Sequence, residues 1–498
     1  MELKEKNLAS KIPKEVSHVT DTLEKAGFET YLVGGCVRDL LMDIEPKDWD
    51  VATNAKPEQI MALFEKTVYE NKFGTVAVIQ EDVTRETLRQ IEVTPYRIEA
   101  KYSDFRHPDE VKFSDKLEDD LQRRDFTINA MALDSKGHLI DMFEGLKDIK
   151  DKTLRTVGNS DERFGEDALR MLRAVRFSVQ LNFSVSHKTM ESILKNADLI
   201  KKISGERIRD EFIKIIMSPN PSVGIVMLQK FGLLKNIIPE LEEGIGCEQL
   251  GEHIYDVWEH LLHALQHAAD KNWSLEIRLA ALFHDIGKPR SRRLAEGSAK
   301  KKYTFYGHEV IGARMTKKIM ERLKFSNKEI ILVEKLVRNH MFFSDTELIT
   351  LSAVRRIITK VDVENIWLLM NIRECDRVGM KKKEAPYRLR KYFAMIEEAL
   401  HDPISVGALK INGEFMIKEL DIKPGPRMGW ILNALLEEVL DAPEKNTIEH
   451  LSELVKSLNI LPDGPLKALG DRGKEKKEEL EGKEVEKLHT KHGVRKKL

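Results

Sequence analysis

Between residues 28 and 150 short β-rich runs alternate with helical ones, the pattern of an α/β layer. FETYLV predicts a strand and GGCVRDLLM a turn running into a helix. DWDVAT predicts a second strand, and Pro57 opens a helix through Phe64, since proline suits a first helical turn. TVAVIQ and LRQIEVT predict two further strands. From about residue 160 the period changes. Apolar residues recur at three and four positions in ALRMLRAVRFSVQL and RIRDEFIKIIM, and strand signals nearly vanish. The expected fold is therefore α+β: an α/β head followed by an all-helical body, without internal repeats. The final stretch, DRGKEKKEELEGKEVEKLHTKHGVRKKL, is too charged and too poor in apolar residues to pack, and predicts a mobile tail.

Composition adds limits. A chain of 498 residues exceeds a single core and predicts about three or four domains. No apolar run reaches bilayer-spanning length, and the first residues lack the apolar core of a signal peptide. Three widely spaced cysteines (Cys36, Cys247, Cys375) form no disulfide framework, which fits a reduced cytoplasm. With 82 Lys+Arg against 83 Asp+Glu, a polyanion must be held by local patches. Two stand out: Arg290, Arg292, Arg293 and Lys300 to Lys302, then Lys381 to Lys383 with Arg388, Arg390 and Lys391.

Candidate chemistry begins at Lys47-Asp48-Trp49-Asp50. Carboxylates at i and i+2 of a strand share a face and repel unless a cation lies between them. Mg²⁺ ions held there could activate a hydroxyl and neutralise a leaving pyrophosphate. Just upstream, Gly34-Gly35 would let a phosphate approach backbone amides, and Arg38 would add a bidentate donor.

Gly34-Gly35-x-x-Arg38-Asp39 followed by Asp48-x-Asp50 resembles the polymerase-β-like nucleotidyltransferases, specifically the class II tRNA nucleotidyltransferase and bacterial poly(A) polymerase family. Further motifs follow in order. Arg123-Arg124-Asp125-Phe126-Thr127-Ile128-Asn129 resembles the ribose-selecting motif, and Asp141 through Gly145 and Asp148 to Arg155 the hinge. Glu166-Asp167-Ala168-Leu169-Arg170, continuing to Arg176-Phe177, resembles the nucleotide reader. Ser204-x-Glu206-Arg207-Ile208 with Glu211 resembles the element supporting it. The resemblance implies that Asp48 and Asp50 are catalytic metal ligands and that Gly35, Arg38, Arg124, Asp167, Arg170, Arg173 and Arg176 bind nucleotide. It implies CTP, ATP and tRNA as partners and template-free completion of a 3′ CCA end. The segment Thr94 to Arg97 and Tyr102 to Asp109 resembles the family's lever for switching from C to A, here at full length.

The reader also has chemistry of its own. Asp167 and Arg170 at i and i+3 would share one helix face, an acceptor beside a donor. The Watson–Crick edges of C and A carry an amino donor beside a bare ring nitrogen, whereas U and G invert that order. Such a pair would accept CTP or ATP and refuse UTP and GTP.

A second constellation comprises His260, His284-Asp285, His308, His340 and Asp376, imidazoles and carboxylates from separate helical segments. The order H…HD…H…H…D resembles the HD-superfamily phosphohydrolases. Divalent Mn²⁺, Ni²⁺ or Co²⁺ would suit it, and activated water there would attack a phosphate ester such as a 2′,3′-cyclic phosphate. Residues 408 to 440 resemble the family's segment that contacts the tRNA elbow. The expected domains are a head (1–153), a neck and nucleotide-reading region (154–250), an HD domain (251–380), a helical tRNA-binding segment (381–462) and a charged, mobile tail (463–498). Two rivals remain: an A-adding enzyme or poly(A) polymerase, and a phosphohydrolase whose head only holds RNA.

Overall fold

The computed structural model describes residues 8–69, 74–81, 83–100, 110–249, 254–294, 303–341, 349–378, 386–400 and 406–494. The lever residues 102–109 and the lysines at 300–302 and 381–383 lie outside these. The chain forms two compact units, Met1–His340 with Met370–Lys381, and Met341–Leu369 with Lys382–Leu498.

In the first unit the head is a seven-stranded mixed sheet. Its strands are β1 (Thr30–Val33), β2 (Asp50–Thr53), β3 (Thr67–Tyr69), β4 (Val76–Ile79), β5 (Gln90–Pro95), β8 (Ala132–Leu133) and β9 (Leu139–Ile140), in the order β3-β4-β5-β2-β1-β8-β9. β1 runs antiparallel to β2, with Val33 opposite Asp50, and β2 runs parallel to β5. Leu32, Val51, Ile91 and Val93 join Val16, Val19, Leu23 and Ile60 of covering helices in one core. A short hairpin, β6 (Arg97–Ala100) with β7 (Glu110–Phe113), flanks the lever segment and has no counterpart in the sequence expectation. Between β1 and β2 lies helix α1 (Gly35–Leu41).

Among the described residues the body is helical, as its three-and-four spacing predicts, apart from two short strand pairs. β10 (Thr153–Leu154) pairs with β11 (Ser184–Val185), and β12 (Arg293–Leu294) with β13 (Tyr303–Thr304). The elements that matter for function are α2 (Ser160–Glu166), α3 (Leu169–Leu181), α4 (Gly205–Ile216), α5 (Val257–Asp270), α6 (Leu275–Phe283), α7 (His308–Arg322), α8 (Asn327–Asn339) and α9 (Ile366–Asp376). Buried Arg278 of α6 donates to the carbonyls of Ile216 (3.0 Å) and Ser218 (3.1 Å), capping the C-terminus of α4. A cation suits that negative end of the helix dipole.

In the second unit, α10 (Pro426–Asp441) contributes Ile431, Leu435 and Leu436 to a separate core with Leu451, Val455 and Leu466. The charged tail expected to be mobile is instead helical. Asp463–Lys491 forms one helix, α11, packed along α10. Two glycines explain what composition concealed. A Cβ on Gly470 would come within 2.7 Å of Trp430 Cα, and one on Gly473 within 2.1 Å of the Asn433 carbonyl. The backbones touch there, so little apolar side chain is needed. Arg472–Glu437 (2.8 Å) and Lys476–Asp441 ion pairs flank the seam, and Lys491 bonds Glu397 (2.8 Å).

Candidate functional site

The head site forms where α1 leaves the sheet. Gly34, at φ +78°, takes a left-handed turn open chiefly to glycine. A Cβ there would stand 2.9 Å from Arg124 Nη1 and 3.1 Å from Asp50 Oδ2, so the turn is cut to fit the acidic centre. β2 begins at Asp50, leaving Asp48 in the exposed bend before the strand rather than on it. The two carboxylates nevertheless interact. Burial raises the Asp50 carboxyl above its ordinary value, the Asp48 and Asp120 charges raise it further, and Arg124 opposes. A partly buried acid crowded by two others is a fit for divalent cations.

Asp120 was not singled out from sequence, although LEDDLQRRD places it one turn before two arginines. It is fully buried and accepts from Arg123 (2.6 Å) and Arg124 (3.0 Å). Burial would raise its carboxyl, but the two guanidiniums hold it below the usual range. Asp120 thus orients Arg124 toward the Gly34 turn.

The next ring of residues centres on Phe177. The guanidiniums of Arg38, Arg173 and Arg176 lie 5.3, 5.3 and 4.1 Å from its ring centroid. Arg38 donates to Asp39 (2.7 Å) and to Asn129 (2.7 Å), Arg173 to Asp125 (2.7 Å), and Arg176 to Glu211 (2.9 Å). Burial would raise Asp125, yet Arg173 and Asn129 bring it down to about 2. Burial and neighbouring Arg173 push Arg176 down to about 10. The structure thereby gathers α1, the Arg123–Asn129 segment, α3 and α4 around one cluster of paired guanidiniums and acids.

The reader pair differs from expectation. Helix α2 ends at Glu166 and α3 starts at Leu169, with Asp167 extended between them (φ −140°, ψ 102°). Asp167 and Arg170 therefore do not share one helix face. Asp167 accepts from the Leu169 amide (3.0 Å) as a cap and from Arg207 (2.8 Å). Arg170 is held by Glu166 (2.5 Å), the Arg163 carbonyl (3.1 Å) and the Arg123 carbonyl (3.0 Å). Asparagine and aspartate favour caps because their side chains bond nearby amides, and this local preference ends the helix. Arg207, forty residues away, could be found in sequence only through its motif.

The HD ligands converge more tightly. Asp285 and His284 follow α6, His260 sits on α5, His308 opens α7, His340 closes α8 and Asp376 ends α9. His260, His284, Asp285 and Asp376 offer one ligand group; His308 and His340 form a second with the same Asp285. Asp285 Oδ2 lies 3.4 Å from both His260 and His284, and Oδ1 lies 3.2 Å from His308 and 3.6 Å from His340. Each Nδ1 faces a backbone carbonyl: Val378 (3.2 Å), Ala281 (2.8 Å), Phe305 (2.7 Å) and Val337 (2.7 Å) for His260, His284, His308 and His340. A carbonyl only accepts, so every Nδ1 carries the proton and every Nε2 turns a lone pair inward. Two such Nε2 atoms stand 3.0 Å apart (His260, His284) and two 3.3 Å apart (His308, His340). The Asp285 carboxylate is buried at the middle of this ring, with an oxygen turned toward each pair of imidazoles. This donor set fits divalent cations. Failing them, a proton must serve. Burial disfavours charge on His284, but the Asp285 and Asp376 carboxylates outweigh it and lift His284 to about 10.

Sequence reasoning missed Lys288 here. Its Nζ lies 2.6 Å from Asp285 Oδ2 and donates to buried Gln249 (2.6 Å). Spacing i+3 from the aspartate was the available signal.

Known proteins place these features. The Poly A polymerase head domain matches residues 30–155, the probable RNA- and SrmB-binding site of polymerase A matches 182–245, and the HD domain matches 257–385. The CCA-adding enzyme of Ligilactobacillus salivarius is 34% identical over 456 residues, spanning 91% of this chain and 98% of that protein. The CCA-adding enzyme of Enterococcus faecalis is 48% identical over 213 residues, covering 43% and 51%. Among solved structures, the Bacillus stearothermophilus CCA-adding enzyme in complex with CTP superposes with a TM-score of 0.57 at 26% identity, covering 90% of this chain and 97% of that one. The Thermotoga maritima CCA-adding enzyme bound to tRNA shares the fold, with a TM-score of 0.52 at 20% identity, over 91% and 98%. With a head that cradles two acids behind a glycine turn, and with likeness along nearly its whole length, this chain belongs to the family of CCA-adding enzymes.

Proposed function

We propose that the chain builds the 3′-terminal CCA of tRNA from CTP and ATP without a nucleic-acid template, in the cytoplasm. The observation that carries this is the Gly34 turn, where the Arg124 guanidinium and the Asp50 carboxylate stand 2.9 and 3.1 Å from the position a Cβ would take. Asp48 and Asp50 would hold Mg²⁺, which when bound supplies charge neutralisation at the triphosphate. Gly35, Arg38 and Arg124 receive the triphosphate and ribose, while Arg173 and Arg176 extend the cationic wall. The tRNA 3′ hydroxyl attacks the α-phosphate, forming a phosphodiester and expelling pyrophosphate. Asp167 accepts the amino group of C or A, Arg207 fixes that carboxylate, and Arg170 leaves its present partners to supply the donor. The test is incubation of the protein with tRNA ending before CCA and each labelled nucleotide in turn. CTP followed by ATP should be incorporated, with UTP and GTP refused. Incorporation of ATP alone would make it an A-adding enzyme or poly(A) polymerase.

A second activity at the HD centre is supported by the inward lone pairs of four histidines around Asp285. Mn²⁺, Ni²⁺ or Co²⁺ suits imidazole-rich sites. Such ions would supply Lewis acidity for hydrolysing a phosphate ester, including a 2′,3′-cyclic phosphate on a damaged tRNA end. Phosphate release from these substrates with each ion, compared with the Asp285→Ala protein, tests it. Absence of release with every ion would reduce the centre to a structural role.

A further inference from the structure

Helix α4 meets different neighbours on its two sides. On one, Arg207 donates to Asp167 (2.8 Å) and Glu211 accepts from Arg176 (2.9 Å), so this face touches two residues of the nucleotide set. Gly205 and Arg209 stand half a turn around the axis from Arg207, at about 100° per residue, and share the opposite face. That face meets the HD domain. A Cβ on Gly205 would come within 2.6 Å of the Arg322 carbonyl oxygen, and Arg209 donates to the Lys324 carbonyl. Both acceptors lie at the end of α7, the helix that begins with His308. The contact is favourable in charge as well as close, since the positive first turn of α4 lies on the negative last turn of α7. The Arg322 side chain is itself bonded to Glu240 (2.8 Å) and to the Ile237 carbonyl (3.1 Å), which anchors that end.

At the other end of α4 stands Arg278 of α6, the helix that leads into His284 and Asp285. Besides the Ile216 and Ser218 carbonyls it reaches those of Trp273 (3.0 Å) and Ala269 (3.5 Å). All four partners are carbonyls and none is a carboxylate. Burying a guanidinium without an acid is costly, and here the cost is offset by fixing where α4 ends. The helix beneath the reader is therefore gripped at both ends by the HD domain, by backbone contact at one and by a buried cation at the other. Side chains on one helix move together, so any slip of α4 carries Arg207 and Glu211 with it.

We propose that the HD domain sets base selection at the nucleotide site: Gly205 and Arg278 are positioning residues that hold α4, and with it the Arg207–Asp167 pair, in register with the incoming base. The inference rests on the reading of Asp167 as base acceptor given above. It assigns part of the choice of nucleotide to contacts made on the far side of the helix from the base.

The experiment measures kcat/KM for CTP and for UTP on tRNA ending before CCA, with the full-length protein. Wild type is compared with Gly205→Ala, Arg278→Met and Arg278→Lys, each made alone and together with Arg207→Met. Alanine forms helix better than glycine, so Gly205→Ala strengthens α4 itself and disturbs only its seat. Gly205→Ala and Arg278→Met should each lower the preference for CTP over UTP about fivefold while KM for tRNA holds. Arg278→Lys, whose ammonium still reaches one carbonyl, should lower it less. In the Arg207→Met protein none of them should lower it further, because the route through Arg207 is already cut. A general weakening of the fold would instead add its loss to that of Arg207→Met. Additive losses, or full preference in the single variants, would overturn the positioning role while leaving CCA addition standing. Should Arg278→Met fail to fold, Gly205→Ala decides alone. If the unmutated protein does not prefer CTP to UTP, the reading of Asp167 fails and this inference falls with it.

Discussion

The two candidate metal-binding regions are built in opposite ways. In the head, Asp48 is exposed, Asp50 is partly buried, and the glycine turn beside them carries no side chain of its own. In the HD centre, the side chains of His260, His284, Asp285, His308 and His340 are buried, and each imidazole is fixed by a carbonyl behind it. The first presents a half-open pair of acids; the second presents two buried groups of candidate ligands that share Asp285. An open pair suits a hard ion that keeps water and phosphate, and a closed imidazole cage suits a softer one. That contrast should be breakable by mutation.

The largest effect is expected at the head. Asp50→Ala should lower nucleotide incorporation at least about a thousandfold, the scale of lost metal-ion stabilisation. Gel-shift affinity for tRNA should hold, and a mutant retaining about a tenth of wild-type incorporation would sink the assignment. Next comes the HD centre. Because Asp285 serves both ligand groups, Asp285→Ala should empty both, read as metal per chain after dialysis, and end ester hydrolysis while CCA addition continues. Loss of addition in a folded mutant would show that the regions are coupled through Arg278 and α4. A smaller change is expected from Arg207→Met, which frees Asp167 to rotate. Discrimination of CTP over UTP should fall about tenfold, the worth of a charge-assisted hydrogen bond. An unchanged ratio would mean that Asp167 is held by its cap alone.

The smallest effect concerns pH. Asp125 falls to about 2 in the folded protein, so it adds stability above its unfolded value that disappears as pH drops through the folded one. From its ordinary value of 3.8 this is roughly 2 kcal/mol, lost between about pH 4 and pH 2. Acid titration of unfolding free energy should be flatter over that window in Asp125→Asn, whereas an equal slope would place the loss elsewhere.

How much of this could be read from the chain varies with the range of the interaction. The glycine turn and the β1–α1–β2 unit were legible because their logic is local: a left-handed glycine, a helix start, then acids at a strand edge. The six HD ligands were legible as residue types, but their division into two groups sharing Asp285 depends on five helices meeting. The Asp167–Arg170 pairing failed because spacing assumes an unbroken helix, and aspartate's preference for capping broke it. Arg207, Asp120 and Gln249 act through partners that spacing reveals only in part. The tail failed for another reason: charge statistics count side chains, and the α10–α11 seam is built where side chains are missing.

That seam has a mechanical consequence. At Gly470 and Gly473 the two helices approach so closely that a single methyl group would collide with main-chain atoms, which cannot swing aside as a side chain could. Docking of the last helix is thus governed by a keyway: the shaft slides home only while the slot is clear. An alanine at residue 473 adds only a methyl group, but should pry loose the helix out to Lys491 and its bond to Glu397. Limited proteolysis after residue 462 would report the release as a step, with the terminal segment either seated or shed.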